Sequence, residues 1–365
     1  GGSPSLSFFM KVLGWTAMLI FAVHSVTRMV GAGDTWVAMA CGRHFANHGV
    51  DTVEPFSANS HSAGPTEEEI EKWPGWARKI VDIVGLETVR KWHPTGWINQ
   101  NWLTHRIFYG LVPESSYTPS DTFTSNALVY WKLAVYIVTV FCIYFAGRIL
   151  RAPPFLCAAF ACMALFVGRS FLDIRPAGFS NMLATVFVLI LCLATYRNIL
   201  YIWLIVPLTV FWCNVHGGYI YVFIMLVPFT GFHFLTSFFP HSRVVSIGKR
   251  GVYHTIGAGA ASVLASILFN PFHLTNLTHT FIISLSEDAE MWRTVNEWHP
   301  GFEWENPVGV SYSFLMFFLL SIILFVMWFW ARQLQPSFVK APLNRLKQQE
   351  SIFRLMIKVF CCVST

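Results

Sequence analysis

Nine polar side chains fall where long apolar runs of this chain end: Asp34, Arg169, Asp173, Arg175, Asn214, His216, Asn270, Glu297 and His299. Their types suit a definite chemistry. A carboxylate such as Asp34 can take a proton from an attacking nucleophile. Arginines such as Arg169 and Arg175 grip phosphate oxygens through paired N–H donors. An imidazole such as His216 can donate to a phosphate or act as a base. Charges at a membrane boundary are costly unless paired or hydrated, so their presence points to a site or to an ion pair. An architectural reading stands beside each chemical one. Asp34 suits the cap of the helix that follows it. An Arg–Asp pair suits the lock of a turn within 169–175. His216-Gly217-Gly218, Asn270-Pro271 and Asn296-Glu297 suit ordinary turns.

The elements that must position these groups are apolar. Of the 365 residues, 55% are hydrophobic and 12% charged, against about 25% charged in soluble domains. The composition therefore predicts an all-α polytopic membrane protein. A span needs about 20 mostly apolar residues. Eight stretches qualify, near 8–30, 127–147, 154–171, 179–196, 200–214, 219–239, 253–269 and 312–330, with the third, fifth and seventh short or weakly apolar. The first is long enough to be a retained anchor and not a cleaved signal peptide. Arg148, Arg151, Arg197, Arg243, Lys249, Arg250 and Arg332 mark one set of connections. The other set holds the Glu67-Glu68-Glu69 run and the acids Glu287 to Glu305. The positive-inside rule then places both termini in the cytoplasm and the nine polar groups outside.

The transmembrane domain is expected over 1–332, with a first external loop at 31–126 long enough to need structure of its own. Asp34 opens a short helix in that loop, in which Trp36, Val37, Ala40 and Phe45 recur at helical spacing, and Gly49 ends it. A second piece, 66–92, is amphipathic through Ile70, Trp73, Trp76, Ile80, Ile83 and Val84, and breaks near Pro74-Gly75. It is expected to lie on the bilayer or to cover the site. A third, 96–111, reads as another interfacial helix. The tail at 333–365 is basic with an apolar face, suited to the cytoplasmic membrane surface or to a partner helix. Asn276-Leu277-Thr278 matches a glycosylation sequon. The sequence has no P-loop, dinucleotide fingerprint, Cys/His zinc spacing or hydrolase elbow, and no basic array suited to nucleic acid.

In this order, the motifs resemble a family of bacterial integral-membrane glycosyltransferases of the GT-C superfamily, distantly like oligosaccharyltransferase catalytic subunits and protein O-mannosyltransferases. The resemblance is carried by Asp34, Trp36, Ala40, Gly42, Arg43, His48, Gly49, Pro55, Phe56 and Ser57, with the Asp-to-Trp spacing one shorter than in the family. It continues through Asn101-Trp102-Leu103, Arg175-Pro176, Phe179-Ser180, Trp212 to Gly218, Asn270-Pro271 and Glu297-Trp298. It implies inverting transfer of a sugar from a polyprenyl-phosphate donor to an acceptor protein, lipid or glycan outside the cytoplasm, at a bacterial inner membrane. Asp34 would be the catalytic base. Arg169, Arg175 and His216 would hold the donor phosphate, with Asn214, Trp102 and Glu297 in support, and 66–92 would exclude water. A divalent cation, Mg or Mn, is used by some relatives, and a second ligand beside Asp34 is not evident. Asn101 stands where family members commonly carry Glu. That departure keeps open a non-catalytic scaffold subunit of a larger membrane complex, and a lipid-linked-sugar carrier is the third reading.

Overall fold

The computed structural model of the chain describes residues 6–27, 33–51, 64–92, 98–112, 126–168, 172–238 and 245–285, with short helical pieces between 315 and 326. The elements in it are helical: α1 (Leu6–Val26), α2 (Gly33–His48), α3 (Glu67–Glu71), α4 (Gly75–Val84), α5 (Leu86–Trp92), α6 (Trp102–Leu111), α7 (Ala127–Ile149), α8 (Pro154–Val167), α9 (Ala177–Tyr196), α10 (Ile205–Val215), α11 (Tyr221–Phe238), α12 (Gly248–Leu268) and α13 (His273–Leu285). Two 3-10 turns, Ile199–Leu204 and Gly217–Ile220, lead into α10 and α11. Four stretches are long and apolar enough to cross a membrane: Ala127–Ile149, Ala177–Tyr196, Gly217–Phe238 and Gly248–Leu268. Phe8–His24, Pro154–Val167 and Ile199–Val215 are apolar but shorter. The expected span at 312–330 falls largely, and the basic tail wholly, outside the described residues.

The helices enclose two cores. α1, α7 and α8 surround Met18, Tyr136, Val140, Cys157 and Ala161. The second core gathers α2, α6 and α9–α12 around Phe108, Phe187, Trp212 and Tyr219, each fully buried. α9 serves both, turning Val188 and Cys192 to the first and Leu183, Phe187 and Leu191 to the second. The six described cysteines are free and buried, consistent with packing.

The described residues between 33 and 112 add detail to the sequence reading. α2 is where the spacing puts it, and Gly49, at φ +86°, ends it, as a left-handed residue after a helix does. Its buried face, however, is Thr35, Ala38, Met39, Gly42 and Phe45, while Trp36 and Val37 are 54% and 58% exposed. α2 is apolar on two sides, and periodicity alone does not tell which side a neighbour will cover. α6 packs into the core on one face, with Thr104, His105 and Phe108 buried. Thr104 donates its hydroxyl to the Val215 carbonyl, and Phe108 packs edge-on to Trp131 in the core. The 66–92 segment forms three short helices. α3 starts on a reciprocal capping box between Thr66 and Glu69, and Pro74-Gly75 separates it from α4. Trp76, Ile80, Ile83 and Val84 make an exposed apolar stripe on α4, the form suited to a membrane interface. α5 rests on α13, while the contacts around Asp34 and Arg175 come from other elements.

The starts of α2 and α9, the α10–α11 joint and the α12–α13 joint come together. Arg175 bonds Asp34, Ser180 bonds His216, and Asn270 bonds Asn214.

α2 and α6 touch at Gly42, where an added Cβ would lie 2.1 Å from the His105 carbonyl oxygen. Backbone cannot swing aside as a side chain can. Gly42→Ala should therefore destabilise the protein by about 1–3 kcal/mol despite its better helix propensity. Gly110, on α6 itself, has open space around its Cβ position, so Gly110→Ala should be neutral or stabilising by up to about 1 kcal/mol. Thermal unfolding of the two variants in detergent should separate them in that order.

Candidate functional site

Asp34 stands in the first turn of α2, and Arg175 in the joint between α8 and α9. Arg175 Nη2 donates to Asp34 Oδ2 at 2.6 Å. Beside it, the Thr35 hydroxyl donates to the Ile174 carbonyl at 2.6 Å. Two consecutive residues at the start of α2 thus hold two consecutive residues of a joint about 140 positions on. The ion pair is lopsided. The Arg175 side chain is 10% exposed and that of Asp34 57%. A desolvated guanidinium needs its carboxylate, whereas the carboxylate keeps more than half its surface open to a reactant.

The next group inward is His216, whose backbone is extended where α10 ends. Its Nδ1 accepts from the Gly218 amide at 2.9 Å and from the Ser180 hydroxyl at 2.7 Å. Ser180 in turn accepts from Trp212 Nε1 at 2.7 Å. An amide N–H can only donate, so Nδ1 carries no proton and the ring is the Nε2–H tautomer. The free face of this imidazole is a donor, the role a phosphate ligand would use. Burial holds His216 near a pKa of about 4, and the charge of Arg175 pushes the same way. His105, on α6, is lowered to about 4 by burial and then by His216. Its Nδ1 accepts from Asn99 Nδ2 at 3.2 Å, and its ring stacks on Phe45. Two neutral rings are therefore neighbours, His105 on α6 and His216 beside Arg175.

The glycines after His216 have an internal use. A Cβ on Gly217 would meet Gln100 Oε1 at 2.5 Å, and one on Gly218 would meet Ser180 Oγ at 2.6 Å. The close approach there is made by the protein's own side chains, Gln100 from before α6 and Ser180 from α9.

The two supporting residues Trp102 and Asn214 lie together. Trp102 Nε1 donates to Asn214 Oδ1 at 2.9 Å, which also accepts from Asn270 Nδ2 at 3.2 Å. Asn214 Nδ2 donates to the carbonyls of Val210 and Phe269. With those bonds made, Asn214 braces α6, α10 and α12 and has no capacity left for a ligand. Asn276 is fully buried, with its carbonyl oxygen accepting from Tyr219 and Gln100. The sequon therefore cannot meet a glycosylating enzyme in the folded chain. Arg169 and Glu297 lie outside the described residues. His48 is at the other end of α2, stacked on His44, whose Nε2 meets Asp51 Oδ2 at 2.5 Å. A rise of about 1.5 Å per residue puts it roughly 20 Å from Asp34.

No group of three His, Cys, Asp or Glu side chains among the described residues is arranged to hold a metal ion. Asp34 is engaged by Arg175, so the described residues do not fit a divalent cation. The sequence reading gave no role to Thr35, Ser180, His105 or Lys132, although Phe179-Ser180 is among the motifs of the resemblance. Lys132 left a signal: it is the sole charge in the apolar run 127–147. The other three are small or common residues whose roles arise only from partners far away in sequence. Compared with protein-family models, curated proteins and solved structures, the chain has no match in any of the three.

The neutral rings make the fold acid-sensitive. Between the unfolded value of 6.5 and about 4, the unfolded chain binds more protons than the folded one at His105 and His216. Stability therefore rises with pH through that window and is lost on acidification. The unfolding temperature in detergent should be level above about pH 7 and fall toward pH 5. Each ring accounts for on the order of 1–2 kcal/mol at pH 5 by linkage. His105→Gln and His216→Gln should each flatten the slope, and a slope unchanged in both would rule out the neutral state described for them.

Proposed function

We propose that this chain is a membrane glycosyltransferase of GT-C type. It transfers a sugar, with inversion, from a polyprenyl-phosphate donor to an acceptor on the extracytoplasmic face of a bacterial inner membrane. In this reading the apolar stretches make eight spans with both termini in the cytoplasm, and the joints carrying Asp34, Arg175 and His216 face outward. The observation that supports it is the meeting of a half-exposed acid from the first external segment with a buried arginine from the α8–α9 joint, beside a histidine fixed as a donor. Asp34 takes the proton of the acceptor as its oxygen or nitrogen attacks the anomeric carbon. The sugar–phosphate bond breaks, and Arg175 with the Nε2–H of His216 stabilises the negative charge left on the lipid phosphate. The apolar stripe of α4 seats the first external segment on the membrane surface beside the lipid donor.

One observation favours a second reading, a non-catalytic scaffold. The Asp34–Arg175 and Thr35–Ile174 bonds would staple the external segment to the bundle equally well without chemistry. The variant Asp34→Asn separates the two, because an amide oxygen still accepts from Arg175 while the base is lost. Purified protein given a radiolabelled polyprenyl-phosphate sugar should release sugar to an acceptor. Asp34→Asn should slow turnover by about 10²-fold or more with donor binding kept. Absence of both donor binding and sugar release in the wild type would end the enzyme reading. Copurification in fixed stoichiometry with other membrane proteins would then favour the scaffold.

A further inference from the structure

α7 carries a charge that the site as described does not use. Lys132 lies six residues into a helix long and apolar enough to cross a membrane, is fully buried, and its Nζ has no hydrogen-bond partner. Tyr136, one turn on and 1% exposed, has a hydroxyl in the same condition. Residues four apart on a helix share a face, with Cβ atoms about 5–6 Å apart. The charge of Asp173 bears on both side chains, and that of Arg175 on Tyr136. Two unspent donors therefore neighbour the joint that Asp34 and Thr35 hold. Asp173 does not resolve them, since neither donor is bonded to it. A buried, unpaired ammonium is among the most expensive groups a fold can keep. Ionisable residues inside membrane spans mark ligand or ion pathways.

We propose that Lys132 and Tyr136 form a phosphate subsite next to the 172–176 joint, contacting the phosphate of an isoprenoid-phosphate lipid. The inference rests on the glycosyltransferase reading for the identity of that lipid, not for the anion chemistry. The ammonium supplies a point charge and the phenol a directional donor, and one phosphate group has oxygens enough to accept from both. Depth selects the class of ligand. Lys132 is about 8 Å along the axis from the start of α7, below the level expected of a soluble phosphate compound. That level suits a phosphate carried on a tail that continues into hydrocarbon. Both donors are covered in this conformation, so the ligand enters as the joint held by Asp34 and Thr35 loosens.

The test uses the full chain in lipid nanodiscs with two probes, farnesyl monophosphate (which carries no sugar) and inorganic phosphate. Farnesyl monophosphate should bind. Lys132→Met should weaken it by roughly 10- to 100-fold and Tyr136→Phe by a few-fold, the range of a charged and a neutral hydrogen bond. Thr139→Val, one turn deeper on α7 with its hydroxyl bonded to Val135 within the helix, should leave binding unchanged. Lys132→Met should also unfold at a higher temperature than the wild type, since it removes an unpaired buried charge. A structural lysine would do the reverse. Binding that is equal in wild type, Lys132→Met and Tyr136→Phe would overturn the subsite and leave the lipid-phosphate reading standing. Lys132-dependent binding of inorganic phosphate without farnesyl monophosphate would keep the anion subsite and remove the lipid donor. Binding of neither probe would overturn both.

Discussion

The ion pair between Asp34 and Arg175 fixes where α2 meets the start of α9. The carboxylate comes from a helix outside the apolar stretches, the guanidinium from the tight joint between α8 and α9. Their 2.6 Å contact is doubled by the Thr35–Ile174 bond. The free energy of such a pair is modest where one partner is half exposed. Its consequence is positional. Arg175 is nearly dry, so it must keep an acceptor. The acceptor seen here comes from a segment whose own placement is set by α2 packing on α6 through Gly42 and Phe45. Each of these elements would be free to drift without the others.

Inward of that joint, two groups of polar atoms form a relay of hydrogen bonds. Trp212, Ser180, His216 and Gly218 satisfy one another, and so do Trp102, Asn214, Asn270 and the carbonyls of Val210 and Phe269. In a low-dielectric bundle each such bond is electrostatically stronger, and an unmet partner is correspondingly costly. The relay ties α6, α9, α10 and α12 into one end-piece. It also settles the state of His216: because Nδ1 is committed to an amide donor, the ring presents a proton at Nε2. Architecture here decides which chemistry the histidine can do, and it removes the role of base that the sequence left open.

What could be read in advance followed a clear physical division. Composition and run length carry the helical class and the apolar stretches, since burial in a membrane is a property of whole segments. Gly49 and Pro74-Gly75 carry helix ends, since backbone conformation is local. The meeting of Asp34 with Arg175 was legible because charges at a boundary demand partners. The face of α2 was not: Trp36 and Val37 are as apolar as Met39 and Phe45, and only the presence of α6 selects between them. The insertion of α6 was hidden for the same reason, since Thr104 and His105 look like surface residues until Val215 and Asn99 are placed beside them. His216-Gly217-Gly218 suited an ordinary turn, but its glycines also admit Gln100 and Ser180 at close range, which no local pattern announces.

That division gives a criterion for telling scaffold from site in a bundle of this kind. Where every donor and acceptor is spent, as at Asn214, substitution can only weaken the frame. Where burial is complete and a donor is left over, as at Lys132, the fold bears a cost that packing does not explain. Asp34 is the opposite case, a group whose bond is made but whose surface stays half open. A transfer site needs both kinds. One group must be accessible to an incoming nucleophile, and others must wait, desolvated and unspent, for charge that arrives with the leaving group. The 172–176 joint is where the two kinds come next to each other. In the proposed reading, the few residues that fasten α2 also neighbour the buried donors, and a ligand reaches Lys132 as the bond that holds Asp34 loosens.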